Sequence, residues 1–400
     1  MSRQPATAGR YRLLTRLAQG DLGDDYLARV SEARREDERW VVRIVPREVA
    51  AQFQSFELLL EQAKAAMAIQ HDSLVNVIEA GECEAGYFIA FDYAIGLTVE
   101  EFALLMATAK ERVPARVVAG IVRYAAIGLA LAHEARAADN TPLGLPHGAV
   151  NPRNLVLTAD GSVKVAGLGT AYAARCLLRA QQRDANFLAR YLTPEQARGE
   201  PPSAGADQFS LGVVGWELLA GRPLFDAPTL REIGTQIKTK TVPRLVVVAY
   251  GTPTGLSVVI ERMLERAPQQ RFASCGAVAE SLAMFLRESG GSAHEEIAAL
   301  VRRLAGPRIE TSPVLAEAKP GGPRAAAAVR PVTVRVAVAP ISGGAPQKIA
   351  PTAASIEPEA PQPMPAEEPP PALEPEELQP VPAEEPPPAL EPEALQPVPA

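Results

Sequence analysis

Few residues in this chain could carry chemistry. The three cysteines, Cys83, Cys176 and Cys275, are odd in number and far apart, without the paired spacing of a zinc site or a disulfide framework. His71 and His133 each close a helical pattern and read as caps or packed core residues, not ligands. What remains is a set of glycine-bearing or polar stretches. These are Ala18-Gln19-Gly20-Asp21-Leu22-Gly23 with Asp25 two residues on, Arg43 inside the apolar run Trp40–Val45, His147-Gly148-Ala149-Val150-Asn151-Pro152-Arg153-Asn154, and Gly167-Leu168-Gly169. Such stretches are raw material for handling phosphate, which needs a backbone cradle, a cation, oxygen ligands for Mg²⁺ and a base for the acceptor. Yet no Asp or Lys lies within two residues of Ala149 or Gly167, and the nearest, Asp160 and Lys164, belong to a separate hairpin pattern.

Two kinds of element must position these stretches. From Tyr11 to about Ala94 the pattern predicts short strands around a glycine turn, with a helix over Phe53–Gln70. From Thr98 to Arg287 the period is mostly helical, as over Val117–Ala132 and Leu211–Ala220. It is broken by a hairpin in which Leu155-Val156-Leu157, Asp160-Gly161 and Val163-Lys164-Val165 follow one another. Trp216 reads as core, and Glu100-Glu101 suits a helix N-terminus. The expectation is a small sheet-rich lobe followed by a larger helical one.

Composition bounds the rest. Phe285 is the last aromatic residue, and beyond it Ala, Pro, Gly and Glu dominate, so the folded part is expected to end near residue 290. Residues 289–350 read as a linker, although the alternation over Val332–Pro340 would suit a short strand. A 17-residue unit, PAEEPPPALEPEELQPV, starts at Pro365 and is repeated almost verbatim over Pro382–Val398, and residues 351–400 hold 17 of the 38 prolines. That spacing favours extended polyproline II over a packed core and suits a spacer or an SH3-type ligand. The net charge is −7, but eleven glutamates and no Lys or Arg follow Lys348, which leaves +4 for the remainder. A balance that weak and scattered argues against a nucleic-acid partner. The polar start, Met1–Arg10, has no apolar targeting run and no stretch is expected to span a bilayer, so the reading is cytoplasmic.

The order of strand, Gly turn, strand, helix, HGAVNPRN, KVAGLGTA and RYLTPEQARGE resembles the bacterial Hanks-type Ser/Thr protein kinases from about residue 9 to residue 288. The resemblance implies an α+β, bilobal protein-kinase-like fold: an N-lobe over about 9–94 and a C-lobe over about 95–288, preceded by a short tail (1–8) and followed by a linker (289–350) and a disordered acidic Pro-rich tail (351–400). It also implies structural roles for His147 and Leu168 in an apolar spine. Asp207 would anchor the start of the central helix, and Glu195 and Arg271 would form a buried ion pair.

Against that family the chemical positions are degenerate. Of the three cradle glycines Gly20 and Gly23 remain and Ala18 replaces the first. Asp25 replaces the Val that faces adenine; it would repel a triphosphate, unless a shifted strand points it to solvent. Val41 stands for the Ala above adenine. Arg43 replaces the phosphate-anchoring Lys, whose seat a bulkier fork cannot take, and Gln62 replaces its helix Glu, unless a rotated helix offers Glu61 to Arg43. Ala149 replaces the general base, Asn151 the nearby Lys and Leu188 the Thr that links them. Gly148 replaces an Arg, and Gly167 replaces the metal-binding Asp, while Asn154, the second metal ligand, is kept. The resemblance therefore implies a pseudokinase with no catalytic residue, no metal site and no cofactor. It would work by binding a protein partner, with an active kinase one candidate. The alternatives are a weak kinase using ATP and Mg²⁺ through displaced groups, and a metal-independent nucleotide sensor.

Overall fold

Alternation of side chains builds the small lobe. Along Trp40–Pro46, Val42 and Ile44 turn to one face of the sheet, where they pack with Tyr11, Tyr26, Phe88 and Ala90, while Val41, Arg43 and Val45 turn to the other. The computed structural model describes residues 7–19, 22–30, 39–52, 56–137, 139–180 and 185–311. Its first sheet holds β1 (Thr7–Ala8), β2 (Tyr11–Gln19), β3 (Asp24–Val30), β4 (Trp40–Pro46), β5 (Val77–Cys83) and β6 (Gly86–Asp92) in the order β1-β2-β3-β4-β6-β5, all neighbours antiparallel. A second sheet, β7 (Gly96–Thr98), β8 (Leu155–Thr158) and β9 (Val163–Val165), carries the expected hairpin.

The helices follow in chain order as α1 (Arg47–Ala50), α2 (Phe56–Met67), α3 (Val99–Thr108), α4 (Ala115–Glu134), α5 (Ala171–Ala180) and α6 (Ala185–Ala189). After them come α7 (Ala204–Ala220), α8 (Leu230–Thr239), α9 (Leu245–Val248), α10 (Thr254–Met263), α11 (Cys275–Glu288) and α12 (Ala293–Thr311). Thr98 and Glu101 close a reciprocal capping box on α3, while Glu100 reaches out to Arg153 at 2.9 Å. The core of the large lobe is α7 against α4 and α10. Gly215 allows that approach, because a Cβ there would lie 2.8 Å from Ile260 Cδ1 and 3.0 Å from Val122 Cγ2. Trp216 is fully buried and donates from Nε1 to the Pro243 carbonyl at 2.9 Å.

Two expectations are corrected. The folded part does not end near residue 290, and the stretch from 289 does not begin a linker. α12 returns over α4 and buries Ile297, Ala298, Val301 and Ala305, apolar side chains at helical spacing that no aromatic residue announces. One stretch also has the length and apolar composition to cross a membrane: α4, of 20 residues. Its apolar faces, however, form the centre of the large lobe, and twelve of its residues are buried. Residues 1–6 and 312–400, with the short strand over 332–340 and the repeats expected there, lie outside the described residues, as do Gly20 and the first residues of the helix expected from Phe53.

Candidate functional site in the cleft between the lobes

A cavity of about 450 Å³ opens between the lobes, and its walls hold most of the residues singled out in the sequence. From above come Gly23 and Asp25 of the β2–β3 turn region, then Val41 and Arg43 of β4. From below come Ala149, Asn151 and Asn154, then Gly167 and Leu188. Gly23 has an extended-to-left-handed backbone (φ +155°) and sits so close to β4 that a Cβ would fall 1.9 Å from the Ile44 carbonyl oxygen. Ala18 pairs with Asp25 across β2 and β3.

Antiparallel register decides the upper wall. Asp25 of β3 lies directly opposite Arg43 of β4, and the two side chains meet as a fork on a carboxylate, Nε–Oδ1 2.7 Å and Nη2–Oδ2 2.8 Å. Asp25 therefore does not point away from a shifted strand, nor does it stand as a lone charge against the cavity. Burial works against the Arg43 charge, but Asp25 outweighs it, and the guanidinium pKa is raised. The rotated-helix alternative also fails, since Glu61 is exposed on α2 and Arg43 is engaged by Asp25. Gln62 does not line the cavity, and its backbone abuts the segment that follows Gly167 instead. Gly169 (φ +75°) lies so close beneath α2 that a Cβ would stand 2.5 Å from the Gln62 carbonyl oxygen.

The lower wall is held by backbone bonds. Asp207, at the first turn of α7 and fully buried, accepts the His147 and Gly148 N–H groups at 2.7 Å each and also meets His133 Nε2 at 2.8 Å. His133 is thus a buried partner of Asp207, in keeping with its expected place in the core. His147 Nε2 donates to the Ala166 carbonyl at 2.8 Å, which leaves Nδ1 to accept the Ala149 N–H at 3.3 Å; the tautomer follows from these partners. Burial pushes the His147 pKa down, so the imidazole is neutral.

Gly148 (φ +71°) admits no side chain, since a Cβ would press on Pro202 at 2.9 Å and Tyr172 at 3.1 Å. Asn151 and Asn154 both donate through Nδ2 to the Ala149 carbonyl at 2.9 Å, and Asn151 Oδ1 accepts the Arg153 N–H to cap the short 3₁₀ turn Pro152–Asn154. Gly167 (φ +87°) starts a tight turn whose carbonyl accepts the Thr170 and Ala171 N–H groups at 2.9 and 2.7 Å. That turn launches α5, whose Ala171, Ala174 and Arg175 line the cavity. Leu168 is buried in the main core.

Away from the cleft, Arg271 grips Glu195 through two bonds of 2.7 and 2.9 Å and spends its other donors on the carbonyls of Gly205, Glu265 and Arg266, with both side chains buried. Among the described residues no group of three or more His, Cys, Asp or Glu is placed to hold a metal ion.

A family model for the protein kinase domain matches residues 11–282, more than half of the chain. This chain belongs to the protein kinase family. Among curated kinases it is 28% identical over 281 residues to the tyrosine-protein kinase MasK of Myxococcus xanthus, covering 70% of this chain and 43% of that one. It is 27% identical over 301 residues to the serine/threonine-protein kinase PknB of Mycobacterium leprae (74% and 45%) and 24% identical over 265 residues to PrkC of Bacillus subtilis (66% and 39%). The chain thus spans less than half the length of these curated relatives. A solved kinase domain, PknI of Mycobacterium tuberculosis, superposes with a TM-score of 0.54 at 23% identity over 71% of this chain and 99% of that one, which supports the fold. The protein kinase fold, with its β-rich small lobe and helical large lobe, stands as expected.

Within this kinase fold, sequence reasoning missed two features of the cleft. The Asp25–Arg43 pair was visible in principle, since opposite charges on consecutive antiparallel strands become neighbours once the β3–β4 register is counted. Helix α5 was not, because the apolar side chains of AYAARCLLRA would suit several conformations of a segment that follows a glycine turn.

Proposed function

We propose that this chain is a catalytically inactive member of the protein kinase family that works by binding a protein partner, inside the cell, without ATP, Mg²⁺ or another cofactor. One observation carries the reading: the two carboxylates lining the cleft are already engaged. Asp25 is held by the Arg43 fork, and Asp92 accepts the Asn76 side-chain amide at 2.5 Å. Ala149 and Gly167 supply no oxygen of their own from side chains, and Mg²⁺ against a triphosphate needs anionic ligands. The positions of the base, the metal ligand and the anchoring cation have changed together, which leaves no half-satisfied polar network in the cleft. What the fold retains is an architecture, anchored by Asp207 and by Glu195–Arg271, that presents a stable two-lobed surface.

A second reading rests on the cavity itself. Its walls include Val41, Val75, Ala94 and Val156, an apolar slot that would suit a flat ring without a metal, as a nucleotide sensor requires. Thermal-shift titration of the full chain with ATP, with and without Mg²⁺, separates the readings. No stabilisation in either series is the expected result. Stabilisation without Mg²⁺ would favour the sensor. Mg²⁺-dependent stabilisation together with radiolabelled phosphate incorporation would show an active kinase and overturn the proposal.

A further inference from the structure

The large lobe carries a second cavity, of about 360 Å³, that shares no lining residue with the cleft. Small-molecule sites begin at about 300 Å³ and are mostly apolar, with a few placed polar groups. This cavity is built in that way. Val99, Ala103 and Met106 recur at helical spacing and turn one face of α3 toward the end of α7 at Leu218, and Ala103, in the middle, leaves space that a larger side chain would fill. Phe187 and Tyr191, rings 5.3 Å apart, close one end.

The polar groups around the cavity are unequally engaged. Its acidic residues all have partners: Glu100 in Arg153 at 2.9 Å, Glu111 in the Arg303 fork at 2.6 and 2.8 Å, and Glu217 in the Tyr191 hydroxyl at 2.7 Å and the Leu224 N–H at 3.0 Å. Two exposed arginines that also line it, Arg112 and Arg222, have no carboxylate partner among the described residues. Arg112 donates one bond of 3.4 Å to the Tyr250 carbonyl, which leaves most of its five N–H donors unused, and Arg222 lies over the Trp216 ring at 5.4 Å.

An apolar cavity bordered by two available guanidinium groups fits a molecule with an apolar body and a carboxylate, which a guanidinium fork matches with two parallel bonds. A peptide would also bring backbone N–H and C=O groups into a space whose polar partners are mostly engaged, whereas an alkyl chain brings none. We infer that the cavity between α3 and the end of α7 is a binding site for a free medium-chain fatty acid, with the chain against Ala103, Met106 and Leu218 and the carboxylate on Arg112 and Arg222. The site is separate from the cleft and stands whether or not the cleft binds nucleotide.

Calorimetric titration of the full chain with octanoate, decanoate and the neutral decanol, each below its aggregation concentration, tests it. Decanoate should bind saturably at one site per chain. Each methylene added from octanoate to decanoate should tighten the dissociation constant about fourfold, the fold-change that corresponds to about 0.8 kcal/mol per buried methylene. The variant R112Q/R222Q, changed only at exposed positions, should weaken decanoate at least about tenfold and leave decanol unchanged, while A103F should weaken both. Hydrogen exchange on the natural chain locates the ligand without any substitution: saturating decanoate should slow the amides of residues 103–113 and 219–224. Decanol binding as tightly as decanoate would overturn the inference, because the groove would then read no anion and would suit the apolar side chains of a partner. So would binding without saturation, or slowed exchange confined to other segments, either of which would mean an adventitious additive only.

Discussion

Arg43 and Arg271 each fork onto a carboxylate, but their surroundings give the two pairs different weights. Asp25–Arg43 keeps some solvent contact, and among the described residues the Arg43 guanidinium makes no hydrogen bond beyond Asp25, whereas Arg271 also satisfies three backbone carbonyls. Removing only the carboxylate, in Glu195→Gln, leaves a buried cation with its carbonyl bonds intact. Arg271→Met strands the Glu195 charge and the three carbonyls together, so it should cost the upper end of about 3–5 kcal/mol in urea unfolding, with Glu195→Gln nearer the lower end. A double Glu195→Leu/Arg271→Met chain should not recover full stability, because the carbonyls stay unsatisfied; full recovery would show that the pair itself carries the whole effect. Burial alone would raise the Glu195 carboxyl pKa, but the Arg271 bonds outweigh it and hold it down. Its contribution is therefore present at neutral pH and is lost as the pH falls through the folded-state pKa, below the ordinary carboxylate range.

His147 adds an acid dependence of its own. Its pKa is lowered by burial, so below the ordinary histidine value the unfolded chain takes up a proton that the folded chain refuses. Stability should fall as the pH drops below about 6.5, and in His147→Gln that slope should flatten even though the overall stability is lower. An unchanged slope would place the titration elsewhere.

At the scale of elements, what decides the outcome is which apolar stripe finds a partner. Helix α12 sits against α4 at Gly120, where a Cβ would meet Ala293 Cβ at 2.8 Å and Ile297 Cδ1 at 3.2 Å. Gly120→Val should therefore overpack the contact and cost about 1–3 kcal/mol, and Ile297→Ala should open a cavity worth about 2–5 kcal/mol, both read as shifts in the urea midpoint. If both changes leave the midpoint in place, α12 is an ornament and the large lobe ends at α11. The two strand-rich regions and the central helices were legible because hydrophobic period acts locally, whereas the places of Asp207, Glu195 and Arg271 came from the resemblance in motif order alone. Helix α12 was not, since its stripe of Ile297, Val301 and Ala305 lies in an Ala- and Arg-rich stretch and gains meaning only from the groove on α4. The cleft was half legible. The residue types at Ala149, Gly167 and Arg43 are plain in the sequence, but the partner of Arg43 depends on a strand register and the filling of the lower wall on where α5 starts.

Taken as a whole molecule, the protein lines its cleft with groups that already partner one another. The Asp25–Arg43 fork bridges two strands of the upper wall, and α5 lies along the lower one, launched by a turn at Gly167 whose left-handed backbone would strain any other residue. On the proposed reading, introducing one chemical group should therefore not be enough for nucleotide binding. Gly167→Asp alone would face φ +87° and the Ala171 side chain, where a Cβ would lie 2.9 Å from Ala171 Cβ, so it should lower the melting temperature and show no response to Mg²⁺-ATP. The combined chain Asp25→Val/Arg43→Lys/Ala149→Asp/Gly167→Asp returns the cation, the base and the metal carboxylate while releasing the fork. It should gain a Mg²⁺-dependent stabilisation, reaching about 2.7 kcal/mol where ATP is at a hundred times its dissociation constant. Should Gly167→Asp alone produce that stabilisation, the cleft would be waiting only for a metal ligand, and the Asp25–Arg43 fork would have no part in keeping nucleotide out.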